Sequence, residues 1–112
     1  MKKDPKIFLE HILESIKEIN KHIEKISKDK FLKDIKTQDA VIRRIAIIGE
    51  AVKKLPYDFK KNHLEINWRE ISGMRDMLIH EYFGINLSIV WKTVKQDISK
   101  LEKQISTLLE SL

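Results

Sequence analysis

The sequence predicts an all-α protein, an antiparallel bundle of four main helices in a single domain over residues 1–112. Two observations carry this reading. Apolar residues recur three and four positions apart through most of the chain, which places them on one stripe of a helix. Only three glycines and two prolines punctuate the 112 residues, so turns are few and elements long. No strand-type alternation competes with this pattern, and there is no internal repeat or low-complexity tract.

Asp4-Pro5 is a start signal, a capping acid followed by proline at the first helical position. Leu9, Ile12, Ile16, Ile19, Ile23 and Ile26 then form one stripe, predicting a first helix to about Ser27. "SKDKFLKDIKT" breaks the pattern and reads as a connection with a helical turn near Phe31-Leu32. Thr37 is the expected cap of a second helix, whose stripe is Val41, Ile45, Ile48, Val52 and Leu55 and which Pro56 stops. The polar "YDFKKNHLEIN" leads to Asn67, which with Glu70 has the spacing of a capping box. A third helix is predicted from Trp68 to about Phe83, ended by a left-handed Gly84. Asn86 caps a fourth, whose seam runs Leu87, Trp91, Val94, Ile98, Leu101, Ile105, Leu108 and Leu112. Ile42, Ile47, Ile89 and Val90 lie off these stripes. So wide an apolar face predicts a homodimer in which a second chain covers part of it, with a monomer of ample core as the alternative.

Hydrophobic residues at 42% and charged residues at 35% suit a folded domain rather than a disordered chain. The absence of cysteine excludes a disulfide framework, a thiol nucleophile and a cysteine zinc site. No apolar run is long enough to span a membrane, and the charged "MKKDPK" start is not followed by an apolar signal core, so a cytoplasmic protein without membrane contact is expected. A net charge of +5 favours RNA, DNA or acidic proteins as partners, although a solvated basic surface explains it equally well. No histidine–carboxylate set has metal-site character and no Gly-rich phosphate loop occurs, so neither metal nor cofactor is expected.

"RDMLIHEYFG", Arg75 to Gly84, departs from the pattern because it sets an arginine, a histidine and a tyrosine into an apolar stretch. On a helical wheel Ile71, Met74, Leu78 and Tyr82 form the core stripe with Arg75 in its middle, while Asp76 and His80 fall on nearly the opposite side. An arginine so placed needs a partner, and Glu50, beside the second helix's stripe, is a candidate. Arg75 and His80 do not converge on one straight helix; a bend, a reaching arginine or two copies facing across a dimer axis would bring them together. The chemistry available is that of RNA cleavage without a metal. Arginine matches a phosphate and the charge gathering on a phosphorane. Histidine exchanges a proton near neutral pH. Asp76 can orient the imidazole or hold the arginine. By residue type alone, an Arg/His pair in a helix is more often structural. Arg43, Arg44, Lys53 and Lys54 are candidate contacts to RNA or to an acidic partner, or simply a solvated face. His11, His22 and His63 read as ordinary surface residues.

"WREISGMRDMLIHEYFGINLSIVW" resembles the HEPN superfamily, and within it the HepT-like toxins. The hallmark R-x4-H-x-Y is present as Arg75, His80 and Tyr82, and "AVIRRIAIIGEAVKKL" at Ala40 to Leu55 is similar as well. The likeness covers about Phe31 to Trp91. It implies an all-α homodimer whose motifs line an interface cleft, acting as a metal-independent endoribonuclease in a type II-like toxin–antitoxin pair. It further implies an MntA-like minimal nucleotidyltransferase antitoxin that silences the toxin by AMPylation. Carried over, Arg75, His80 and Asp76 are catalytic and Tyr82 is the AMP acceptor. Asn86 stands where an aspartate is expected. Two other readings stay open: a non-catalytic helical subunit that presents substrate or nucleotide to a nucleotidyltransferase, and a plain oligomerisation module.

Overall fold

The computed structural model describes residues 4–112, the side chain of Tyr82 excepted. It is helical throughout: α1 (Pro5–Ile23), α2 (Lys28–Lys33), α3 (Ile35–Lys54), α4 (Tyr57–Lys61), α5 (Trp68–His80), α6 (Leu87–Lys92) and α7 (Ile98–Ser111). A π turn, Thr93–Asp97, joins α6 to α7 in one long rod, which with α1, α3 and α5 gives the four main helices. There is no strand among the described residues.

The order across the bundle is α7, α1, α3, α5, each packed on the next. The first stripe explains why α1 is central. Leu9, Ile12, Ile16 and Ile19 are all fully buried, between α3 on one side and α7 on the other. Burying each such side chain contributes about 1.5–3 kcal/mol, so this stripe organises the core. The short α2 closes one end by inserting Phe31, wholly buried, with its ring centroid 5.2 Å from that of Trp91. Gln38 fixes α2 to α3 by donating from Nε2 to the Phe31 carbonyl at 2.8 Å. At the outer edge α5 packs on α3, and between α5 and α7 a cavity of about 140 Å³ remains. Ile45, Ile48, Ile71 and Met74 line its apolar part, and Glu65, Glu70 and Asp97 belong to its polar part.

The caps at Asp4, Asn67 and Asn86 are as the sequence predicts. Asp4 accepts from the Lys6 amide at 3.0 Å, Asn67 from Glu70 at 3.1 Å, and Asn86 from Ser88 and Ile89 at 3.0 and 3.2 Å. The capping box is a variant: Glu70 Oε2 accepts from the Asn67 side-chain amide at 3.0 Å rather than from its backbone.

Five expectations are corrected. Asp34, not Thr37, caps the second main helix; its carboxylate accepts from the Thr37 amide at 3.1 Å and hydroxyl at 2.8 Å. Those bonds hold the Asp34 carboxyl below its ordinary range. The first main helix stops at Ile23, leaving room for α2. The third stops at His80 because Glu81 turns out of helical geometry at φ −121°, ψ 37°. Gly84 is not left-handed, since no described glycine has positive φ; its amide bonds the Glu81 carbonyl at 2.9 Å and closes a right-handed 3-10 turn instead. Finally, the fourth seam is not continuous. The π turn inserts one extra residue, rotating α6 against α7 by roughly 100°. Val90 and Thr93 are therefore buried, at 3% and 5% exposure, while Trp91 is half-exposed. Val90 thus belongs to the core rather than to a face awaiting a second chain. Ile42 and Ile47 are half-buried, and of the four off-stripe residues only Ile89 is exposed, at 53%.

Candidate active site

The site is built where α3 and α5 make their closest approach. A Cβ added at Gly49 would overlap the Arg75 Cβ and stand 3.0 Å from its Cγ. Glycine at 49 therefore lets the Arg75 stem lie directly on the α3 backbone. From there the guanidinium reaches Glu50, with Nη2 3.0 Å from Oε2, and its own neighbour Asp76, with Nη1 3.1 Å from Oδ1. The same Asp76 oxygen accepts from Lys53 Nζ at 2.5 Å, and Lys54 Nζ stands 4.0 Å from Glu50. The result is a chain of alternating charge, Lys53–Asp76–Arg75–Glu50–Lys54, stitching α3 to α5. Three cations against two carboxylates leave it with one net positive charge. The Lys53 ammonium, joined by the Arg75 guanidinium, holds the Asp76 carboxyl below its ordinary range against the opposing effect of partial burial.

Arg75 is thus not sunk in the apolar stripe. Its side chain is 25% exposed and its charge is met by two carboxylates, so it avoids the cost of an unpaired buried cation. The two ion pairs engage both terminal nitrogens, and guanidinium donors remain to meet an anion. Asp76 keeps the half-exposed face that the wheel gives it, and the long Lys53 side chain on α3 reaches across to it. His80 ends α5, is exposed, and makes no side-chain hydrogen bond or ion pair among the described residues. Five residues of helix turn it about 140° from Arg75. One copy of the chain therefore gathers Arg75, Asp76, Glu50, Lys53 and Lys54 into one network and leaves His80 outside it.

A family profile described as ribonuclease HepT-like matches residues 12–108. The chain belongs to the HepT-like family. Among its relatives is a protein of Thermococcus cleftensis, provisionally named ribonuclease HepT, which is 50% identical over 96% of this chain and 98% of its own length. A protein of Caldanaerobacter subterraneus subsp. tengcongensis, provisionally named an RNase, is 45% identical over 96% of each chain. A third, from Methanocaldococcus jannaschii, joins gamma-glutamylcyclotransferase to a provisional RNase in its name; it is 48% identical over all of this chain, which spans 50% of that protein's length. No solved structure matches.

Within this HepT-like chain the other predicted residues fall as follows. The Tyr82 side chain lies outside the described residues. Arg43 is exposed and Arg44 half-buried on α3, and Lys53 and Lys54 are engaged in the charge network rather than free for a ligand. His63 is not an ordinary surface residue: its ring stacks on Phe59 at 4.5 Å, Nδ1 is 3.5 Å from Glu65, and its carbonyl accepts from Trp68 Nε1 at 3.0 Å. It anchors the turn into α5, as the adjacent Phe59 and Trp68 could have signalled. Gly49, within the Ala40–Leu55 stretch that carries the resemblance, is the residue of the site whose role the sequence leaves unassigned. A lone glycine inside an apolar helix is the usual sign of close backbone approach.

Proposed function

We propose that this HepT-like chain is an endoribonuclease toxin that cuts RNA without a metal ion, through Arg75 and His80. The observation that supports this most is the placement of Arg75, preorganised by Glu50 and Asp76 yet retaining donors for a phosphate, one turn and a half before an exposed His80. In the reaction His80 takes the proton of a ribose 2′-OH, and the 2′-oxygen attacks the adjoining phosphorus. Arg75 stabilises the charge that collects on the phosphorane oxygens, and the P–O5′ bond breaks as the leaving oxygen takes up a proton from solvent. The products are a 2′,3′-cyclic phosphate and a 5′-hydroxyl. Asp76 and Glu50 are positioning residues that fix the guanidinium plane.

Because His80 is set about 140° round α5 from Arg75 and stands outside its ion-pair network, the working site pairs Arg75 of one chain with His80 of a second. The exposed apolar residues beside the motif, Met77 at 42%, Ile79 at 49% and Ile89 at 53%, are the surface such a homodimer would cover. A minimal nucleotidyltransferase of the MntA type is the partner antitoxin, and it inactivates the enzyme by transferring AMP to Tyr82.

The test is incubation of purified protein with total RNA in EDTA. Cleavage by the wild type, lost in both His80→Ala and Arg75→Lys, is the expected result; no cleavage by unmodified dimeric protein would refute the enzyme reading and leave a non-catalytic binding subunit. Co-expression with an MntA-type nucleotidyltransferase should raise the intact mass by whole AMP units in the wild type and not in Tyr82→Phe.

A further inference from the structure

A second feature lies on α5, away from the charge network. A surface cleft of about 440 Å³ opens between α4 and the start of α5. Tyr57, Leu64 and Trp68 supply its apolar lining, and Lys60, Lys61 and Arg69 its cations. No carboxylate lines it. The outer part of this lining is presented, Tyr57 being 75% exposed and Leu64 76%. Trp68, by contrast, is buried at 7% and donates to the His63 carbonyl. Lys60 is partly committed, donating to the Val52 carbonyl at the end of α3 at 3.1 Å, whereas Lys61 and Arg69 stand at the exposed surface.

The charge around the start of α5 is segregated. Glu65 and Glu70 line the cavity between α5 and α7, where with Asp97 they set three carboxylates against the single cation Lys100. A chain of net charge +5 thus keeps an acidic cavity on one side of α5 and a purely basic, aromatic cleft on the other. An exposed aromatic ring set among lysines and an arginine suits single-stranded nucleic acid, whose bases stack and whose phosphates pair. It does not suit a basic or purely apolar partner.

The cleft also lies in line with the motif. On α5, Arg69, Gly73, Asp76 and His80 follow one another at four, three and four residues, one face of the helix. Arg69 and His80 are separated by about 16 Å along the axis at 1.5 Å per residue. Gly73, between them, is exposed, and a Cβ there would meet nothing within 4 Å, so a strand could approach the helix backbone. The Asp76 carboxylate does not repel it, being neutralised by Lys53 and Arg75.

We propose that the Tyr57–Arg69 cleft is an accessory subsite for single-stranded RNA, in which Tyr57 stacks on a base while Arg69 and Lys61 pair with phosphates, leading the strand along α5 to His80. It rests on the ribonuclease reading only in naming the substrate. Several nucleotides separate the subsite from the motif, so it governs affinity for long substrates and leaves the chemical step to Arg75 and His80.

The experiment uses the full chain carrying His80→Ala, so that RNA is bound and not cut. Binding of a fluorescein-labelled single-stranded RNA of about twelve nucleotides, within the span such grooves cover, is followed by anisotropy. Tyr57→Ala should weaken binding by about 5- to 100-fold, the range of one lost base stack, and Tyr57→Phe should restore it. Arg69→Ala should weaken it and flatten its salt dependence. Both sites are exposed, and unchanged thermal unfolding will confirm that the variants are folded. In the enzyme with His80 intact, Tyr57→Ala should raise KM for the long RNA and leave cleavage of a dinucleotide unchanged. Tight RNA binding with no cleavage would overturn the ribonuclease reading and keep this one if Tyr57→Ala reduces it. Cleavage with binding indifferent to Tyr57 and Arg69 would overturn the subsite and keep the ribonuclease. A cleft whose substitution alters only association with a protein partner would overturn it as well.

Discussion

Gly49→Ala is the smallest change that separates α3 from α5. The added methyl overlaps Arg75 Cβ and lies 3.0 Å from Cγ and 3.4 Å from Cδ. Cβ has no rotamer to escape into, so the helices must part or the arginine stem must leave its seat. Overpacking of this kind costs about 1–3 kcal/mol. Alanine in a helix regains about 1 kcal/mol over glycine, which hides part of the penalty. Gly73→Ala supplies the correction: it lies in the interior of α5, exposed, with nothing within 4 Å of the added methyl, and gains the propensity without the clash. The two alanine variants should therefore differ by the steric cost alone, about 1–3 kcal/mol, or about 4 °C in Tm per kcal/mol for a domain of this size. Thermal unfolding by circular dichroism measures it, with Gly49→Ala the lower. RNA cleavage by Gly49→Ala should also fall, since the Arg75–Glu50 pair is displaced. Equal Tm values for the two variants would refute the claim that close approach at Gly49 sets the Arg75 geometry.

Phe31→Ala should cost about 3–5 kcal/mol in denaturant unfolding, because a wholly buried ring stacked on Trp91 leaves a cavity that α2 cannot fill; a loss under about 1 kcal/mol would show that α2 is dispensable. The Asp76 carboxyl titrates below its unfolded value, so its stabilising effect is present above about pH 4 and fades as the pH falls through the folded value. Wild type should accordingly exceed Asp76→Asn in stability at pH 6 to 8, and the gap should close in acid; a gap constant down to pH 2 would contradict the ion-pair network. Ile89→Asp should leave the fold intact and lower the association state in sedimentation, whereas Val90→Asp should unfold the chain; a dimer unaffected by Ile89→Asp would place the interface elsewhere.

The helices were legible because their periodicity is strict and their caps are local. Asp4, Asn67 and Asn86 act within three residues of themselves, and sequence spacing suffices to find them. What was missed depends on contacts between elements. The seam of the fourth helix reads as continuous, yet packing of α6 on α2 and of α7 on α1 admits a π turn that no residue type announces. Asp34 and Thr37 are both good caps, and the choice turned on where α2 ended. At the site, a wheel treats one helix alone, so it cannot show that Gly49 on the neighbouring helix seats the Arg75 stem or that Lys53 reaches across to Asp76. Tyr57 lay in a stretch read as a polar connection, so its exposed ring drew no attention.

The position of α5 at the edge of the bundle has a consequence for motion. It leans on α3 and is parted from α7 by the cavity, whereas α1 is clasped on two sides. Local opening therefore takes less free energy at α5 than at α1. In native-state hydrogen exchange the amides of Trp68–His80 should trade with solvent well before those of Pro5–Ile23. Anything that grips the outer face of α5, whether a strand of RNA or a second chain, would announce itself first as slower exchange there.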